Sequence, residues 1–270
     1  MMESIYKKIE EARNNAQCIA LCTIISTKGS TPLKTGAKML VWPSGKIFGS
    51  IGGGALEKKV IKDAVETIEK NGNIIISHNL LQEHGMCCGG NVEVFIETIL
   101  PYNKLYIFGA GHVGRALAKF SAFAGFEVFL IDERKNELDK ISDESVFKLP
   151  YEYTEILRSL PFNEHTYIAI LTYDHKLDRE ILAYCIEKKR AYLGMIGSKR
   201  KVEVTKKLFL SSHIASEQQL LEVDMPMGYD LNSNNPEEIA ISILAKMIEI
   251  KNTQSHTITC QTQKQEVNKK

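Results

Sequence analysis

The chain has 270 residues, 44% of them hydrophobic and 25% charged, with 34 basic and 33 acidic side chains giving a formal net charge of +1. That is enough chain for one large or two modest cores, in the composition of an ordinary globular protein. So small a net charge leaves no broad basic field, which argues against nucleic acid or an anionic membrane as a partner, and no apolar run reaches the ~20 residues of a membrane span.

Residues Met1 to Glu11 are charged and amphipathic and lack the apolar stretch of a secretory leader, so a cytoplasmic location is expected. A helix over 3–16 is followed by strands over 17–27, 37–42 and 46–49, with Trp42-Pro43-Ser44-Gly45 turning between the last two. Leu56, Val60, Ile61, Ala64, Val65 and Ile68 recur with helical spacing, which predicts a helix from Ala55 to Asn71 stopped by Asn71-Gly72. Strands over 73–78 and 91–99 close an α+β domain of residues 1–100, and Pro101-Tyr102-Asn103 reads as a linker.

From there to residue 250 strand and helix alternate. Strands are predicted over 104–108, 126–131, 145–149, 166–171 and 190–195, and helices over 113–124, 151–159 and 177–189. Such alternation implies an α/β fold with a Rossmann-like, doubly wound parallel sheet in residues 101–250. Asn235-Pro236-Glu237-Glu238 combines a cap with proline at the first helical position and opens a helix to about 250. Residues 251–270 are polar and aperiodic and are expected to be disordered.

The most specific segment is Leu105-Tyr-Ile-Phe-Gly109-Ala-Gly111-His112-Val-Gly114, an apolar strand running straight into a three-glycine turn and a helix start. In a dinucleotide-binding turn Gly109 allows the tight reversal, Gly111 lets backbone approach a pyrophosphate, and Gly114 lets the helix pack on its strand. The helix N-terminus then offers unpaired N–H groups and partial positive charge to the phosphates. Asp132 closes the next strand, where a carboxylate accepts from a ribose diol, while Arg134 two residues on suits a 2′-phosphate or adenine stacking. An NAD(P)-type nucleotide is therefore one candidate cofactor.

Three further constellations carry candidate chemistry. Gly49-Ser-Ile-Gly52-Gly53-Gly54 lies between strand and helix, where successive N–H groups form an anion-binding nest, unless the glycines simply serve a turn that needs positive φ. His84-Gly-Met-Cys87-Cys88-Gly-Gly90 places thiols among glycines, a setting that favours a thiolate and soft-metal ligation at Cys88 and, second to it, Cys87; buried inert cysteines are the alternative. The other four cysteines, at 18, 22, 185 and 260, form no C-x-x-C pair and read as free thiols. Gly194-Met-Ile-Gly197-Ser198-Lys199-Arg200 follows a strand, so Ser198, Lys199 and Arg200 are candidates for phosphate contact. Asp174 and His175, also after a strand, are the weak candidates for proton transfer, with helix capping as the plainer reading of the acid.

The ordered set Gly29-Ser-Thr-Pro32, Gly36-Ala-Lys-Met39, Gly49 to Glu57, Gly85-Met-x-Cys88-Gly-Gly90, Phe108 to Gly114, Thr172-x-Asp-His175 and Gly194-x-Ile-Gly-Ser198 resembles the XdhC/CoxI family of xanthine dehydrogenase accessory factors over about residues 18–248. The resemblance implies a protein that binds the molybdenum cofactor and protects it while a cysteine desulfurase exchanges an oxo ligand for sulfido. It also implies delivery of that cofactor to a molybdenum hydroxylase apoenzyme. Cys88 stands in the place of the family's motif cysteine, as a molybdenum ligand. Two departures stand out: Ala55 where many relatives have cysteine, and Gly228-Tyr-Asp-Leu-Asn-Ser233 where the family runs Gly-Leu-Asp-Ile-Gly-Ala. The rival readings are an NAD(P)-dependent oxidoreductase, with His112, Asp174 or His175 beside the hydride path, and a dinucleotide-sensing regulator. A homodimer is compatible with either class.

Overall fold

The computed structural model describes residues 4–29, 34–80 and 90–267, with side chains described as far as Thr253. Two compact units divide the chain, the first made of Met1–Pro101 with Gln254–Lys270 and the second of Tyr102–Thr253.

The first unit opens with α1 (Ile5–Asn14), β1 (Ile19–Lys28), β2 (Lys38–Val41) and β3 (Ile47–Gly49). It continues with α2 (Gly54–Glu69), β4 (Asn73–Asn79) and β5 (Asn91–Ile99). The strands form one antiparallel sheet in the order β3-β2-β1-β5-β4. Both faces are covered, which explains why β1 reads as an unbroken apolar run. Ala20, Cys22 and Ile24 face Leu56, Val60 and Ala64 of α2, whereas Ile19 and Leu21 face Ala12 and its neighbours on α1. Cys22 is a small core residue whose thiol burial pushes up to about 12, which removes it from nucleophilic chemistry.

The second unit comprises β6 (Lys104–Phe108), α3 (His112–Phe123), β7 (Glu127–Ile131), α4 (Lys135–Leu138), β8 (Val146–Leu149) and α5 (Tyr153–Ile156). It then runs through β9 (Thr166–Ile170), α6 (His175–Cys185), β10 (Tyr192–Met195), α7 (Lys199–Ser211), α8 (Glu217–Leu221) and α9 (Pro236–Val267), whose residues as far as Thr253 belong to this unit. Its five strands are parallel in the order β10-β9-β6-β7-β8, so the direction of winding reverses between β6 and β9. Alternation along the strands divides two cores. Leu105, Ile107, Val128 and Ala169 pack under Leu117 of α3 and Ile243 of α9, while Tyr106, Phe108, Ile168 and Leu193 pack under Ile181 of α6 and Val202 of α7. The mixed α/β class and the parallel Rossmann-type sheet are as the sequence implies.

Several expectations need correction. The helix predicted over 151–159 is one turn, α5, after which both Ser159 and Leu160 donate their amides to the Ile156 carbonyl and the chain tightens ahead of Pro161. The helix predicted over 177–189 starts earlier, capped by Asp174, and ends at Cys185, where the Arg190 guanidinium donates to the Ile186 and Lys188 carbonyls just past its end. Helices α7 and α8 have no counterpart among the predicted elements. The tail beyond 250 continues the α9 backbone to Val267, consistent with the lack of any glycine or proline from 237 to 270.

Candidate functional site

The glycines of the β6–α3 turn separate into two kinds. Gly109 has φ of +119°, and a Cβ there would lie 2.2 Å from the Leu171 carbonyl oxygen; at Gly114 it would lie 1.9 Å from the Gly109 oxygen. Both are fixed by packing, one by the end of β9 and one by the turn itself. Gly111 is different: its φ is −63°, and a Cβ there would meet nothing within 4 Å. An ordinary dihedral angle facing open space at the N-cap of a 12-residue helix is not dictated by packing and leaves the backbone there approachable.

Asp132, at the end of β7, is 0% exposed. One oxygen accepts from the Ala110 amide at 2.7 Å and Arg134 Nη2 at 2.8 Å, the other from the Arg134 amide and Nε, both at 2.9 Å. Burial alone would raise its pKa, but the bonds from Arg134 and the Ala110 amide outweigh that and hold the carboxyl below the usual aspartate value. The acid thus ties the glycine turn to the adjacent strand, and Arg134 is the side chain presented to solvent there.

The ends of β9 and β10 are joined the same way. Asp178, fully buried, accepts from the Thr172 amide at 2.9 Å and hydroxyl at 2.7 Å, and from Lys201 Nζ at 2.8 Å. The Lys201 side chain is only 11% exposed, and its stem crosses Gly197, where a Cβ would lie 2.9 Å from Lys201 Cδ. Ser198 caps α7 by accepting from the Lys201 amide, and Lys199 and Arg200 are exposed. Asp174 caps α6 by accepting from the Lys176 amide, His175 beside it is 69% exposed, and His112 is exposed at the start of α3. A third acid, Asp224, half-buried, accepts from Tyr192 Oη at 2.7 Å, from the Gly228 amide at 2.8 Å and from Lys246. A cavity of about 580 Å³ opens past β10, between Ser198 and Lys199 on one side and Gly228 to Asn234 on the other.

In the first unit the loop before α2 has positive φ at Gly49, Gly52, Gly53 and Gly54. Its nest is filled from within: Glu57 Oε1 accepts from Ser50 Oγ at 2.5 Å, the Ile51 amide at 3.1 Å and the Gly53 amide at 3.0 Å. Burial pushes the Glu57 pKa up, and these bonds more than reverse it, leaving the carboxyl below its ordinary value.

The family model described as the XdhC Rossmann domain matches residues 105–247, and that described as the XdhC and CoxI family matches 12–79. This chain is a member of the XdhC/CoxI family. The uncharacterised Escherichia coli protein YqeB is 32% identical over 239 residues, covering 86% of this chain and 43% of that protein. A Bacillus subtilis protein described as a probable xanthine dehydrogenase subunit is 28% identical over 161 residues, 58% of this chain and 46% of that protein. The chain therefore spans less than half the length of these curated relatives. A crystal structure of a Bacillus halodurans protein described as a xanthine dehydrogenase, 21% identical, superposes with a TM-score of 0.51 over 93% of this chain and 96% of that one, a likeness of fold.

In this XdhC/CoxI chain the carboxyl edge of the parallel sheet gathers Gly109, Gly111, His112, Gly114, Asp132, Thr172, Asp174, His175 and Ser198. Gly52, Gly53 and Gly54 belong to the first unit. Cys87 and Cys88 lie outside the described residues, and among the described residues no three His, Cys, Asp or Glu side chains group as a metal site. No helix among the described residues is long and apolar enough to cross a membrane. Sequence reasoning missed the Asp178–Lys201 tie and the Asp224 network. The available signal was register: Lys201, Thr205 and Phe209 recur every fourth residue, so Lys201 shares the inward stripe of α7 while Lys199 and Arg200 do not.

Two expectations follow. Gly114→Ala should lower stability by about 2–3 kcal/mol in urea unfolding, whereas Gly111→Ala should change it by less than about 1 kcal/mol, because only the first inserts a methyl into filled space. The depressed Asp132 pKa means its contribution is complete above the unfolded value of about 3.9 and is lost as pH falls through the folded one. Wild-type melting temperature should therefore drop more steeply below about pH 4 than that of Asp132→Asn.

Proposed function

We propose that the chain is an accessory factor for a molybdenum hydroxylase of the xanthine dehydrogenase type, holding the molybdenum cofactor by its phosphate at the Gly111 cradle. The observation that carries this reading is the contrast within one motif. Gly109 and Gly114 are used up by packing, yet Gly111 faces open space at the start of α3, where a phosphate gains backbone N–H donors and the helix dipole. When bound, the cofactor supplies a dithiolene-held molybdenum whose oxo or sulfido ligand can be exchanged. The residues of this chain bind and orient. Asp132 fixes the turn through the Ala110 amide, and Asp178 fixes Thr172, which lies against Gly109.

Family membership supports the xanthine dehydrogenase association. As a separate part of the proposal, Cys88, and second to it Cys87, offers a thiolate to molybdenum; a cysteine desulfurase and the apoenzyme are the partners, and the setting is the cytoplasm. A homodimer is compatible with it. The oxidoreductase alternative is less well supported, since Asp174 is engaged as a helix cap and Asp132 has no acceptor position left for a ribose diol.

The test is cofactor retention. Wild-type protein expressed in a molybdenum-replete host should copurify with molybdopterin, measured as its fluorescent oxidation product. Gly111→Val, which fills the cradle, should retain less than about a tenth as much while melting within a few degrees of wild type. Equal retention would reject the cradle as the phosphate site. Cys88→Ala should lower bound molybdenum more than bound pterin, and unchanged molybdenum content would remove the thiolate from the reading.

A further inference from the structure

At the end of β7 the acceptor positions of Asp132 are all taken. A carboxylate offers about four lone-pair positions, and those of Asp132 meet the Ala110 amide, the Arg134 amide, Arg134 Nε and Arg134 Nη2. A ribose 2′-hydroxyl brought beside it would find no free acceptor on that acid. Arg134, in contrast, keeps donors in reserve. Its side chain is 35% exposed, its Nε and Nη2 bind Asp132, and its Nη1 has no partner among the described residues.

The guanidinium is also held in orientation. Its carbon stands 4.3 Å from the centre of the Tyr173 ring, and the Tyr173 hydroxyl donates to Glu133, which engages the neighbouring carboxylate. A buried hydroxyl lies within reach of the same charges. Tyr153 is 1% exposed, its hydroxyl has no hydrogen-bond partner among the described residues, and it feels the charges of Asp132, Arg134 and Glu133. A planar fork preorganised by one acid and one ring, with a whole nitrogen unspent, suits a phosphate far better than a hydroxyl.

We propose that this crevice takes an adenine nucleotide carrying a phosphate on its ribose 2′-oxygen, and that Arg134 is the residue that selects it. The inference rests on reading Gly111 as a phosphate cradle and goes beyond it in naming a nucleotide as a second ligand, one that competes there with the pterin phosphate. Arg134 binds the distinguishing group directly, whereas Asp132 and Tyr173 position Arg134.

Two probes isolate the group in question: ADP-ribose and 2′-phospho-ADP-ribose, titrated calorimetrically into the full chain. The 2′-phosphorylated compound should bind about tenfold or more tightly, the increment of a charge-assisted contact. Arg134→Met should abolish that preference and leave ADP-ribose affinity within about twofold. Should Arg134→Met fail to fold with Asp132 left bare, the double variant Arg134→Met with Asp132→Asn removes both charges and should show the same loss of preference. Equal affinities in wild type, or tighter binding of ADP-ribose, would overturn the assignment. Absence of binding by both compounds would overturn it as well, while molybdopterin retention in wild type against Gly111→Val judges the cradle separately.

Discussion

One backbone contact organises the second unit: the close meeting of the β6–α3 turn with the end of β9. The Leu171 amide donates to the Phe108 carbonyl at 2.9 Å, and the Leu171 carbonyl then lies where any side chain on residue 109 would begin. The Gly109 carbonyl in turn lies where a side chain on residue 114 would begin. Neither approach tolerates a Cβ, so these two glycines set how deeply α3 sinks toward the sheet. The direction of winding reverses between β6 and β9, the kind of position at which doubly wound sheets take their ligands.

Electrostatics along the same edge follow one recurring arrangement. Asp132, Asp178 and Asp224 are buried or nearly so, and each accepts from the amide of a loop after another strand or before α9, those of Ala110, Thr172 and Gly228, and from a cation, Arg134, Lys201 and Lys246. A buried carboxylate without a partner is costly, and a paired one adds little net stability, so the gain is chiefly in geometry. The loops that shape the crevice are pinned, and the charges cancel in pairs. Among the described residues no side chain caps the α3 N-terminus at Gly111, so its field is left facing outward.

Much of this was legible in the sequence because it is local. Phe108 to Gly114 carries strand, turn and helix start within a few residues, and Leu105, Ile107, Val128 and Leu130 carry a period of two that places them on one core. Helix α7 was hidden because Lys199-Arg200-Lys201 reads as a solvated charge run. Its inward stripe of Lys201, Thr205 and Phe209 becomes visible only once Ser198 is recognised as a cap. The Asp178–Lys201 pair spans 23 residues, and no local pattern announces such a contact. At the β3–α2 loop the glycines were apparent, yet the carboxylate that satisfies them, Glu57, sits one turn into the helix and reads equally well as an ordinary surface residue.

That tethered carboxylate has a consequence for the first unit. A side chain covalently attached to the loop it satisfies acts as a ligand at an effective concentration on the order of millimolar or above, and it is never diluted away. Any free oxyanion arriving at the β3–α2 loop must displace it and leave a glutamate to be rehydrated, so weak anions at cellular levels are turned aside. The amino-terminal glycines accordingly behave as a self-occupied receptor, whereas among the described residues the turn of the Rossmann unit has no side chain capping it.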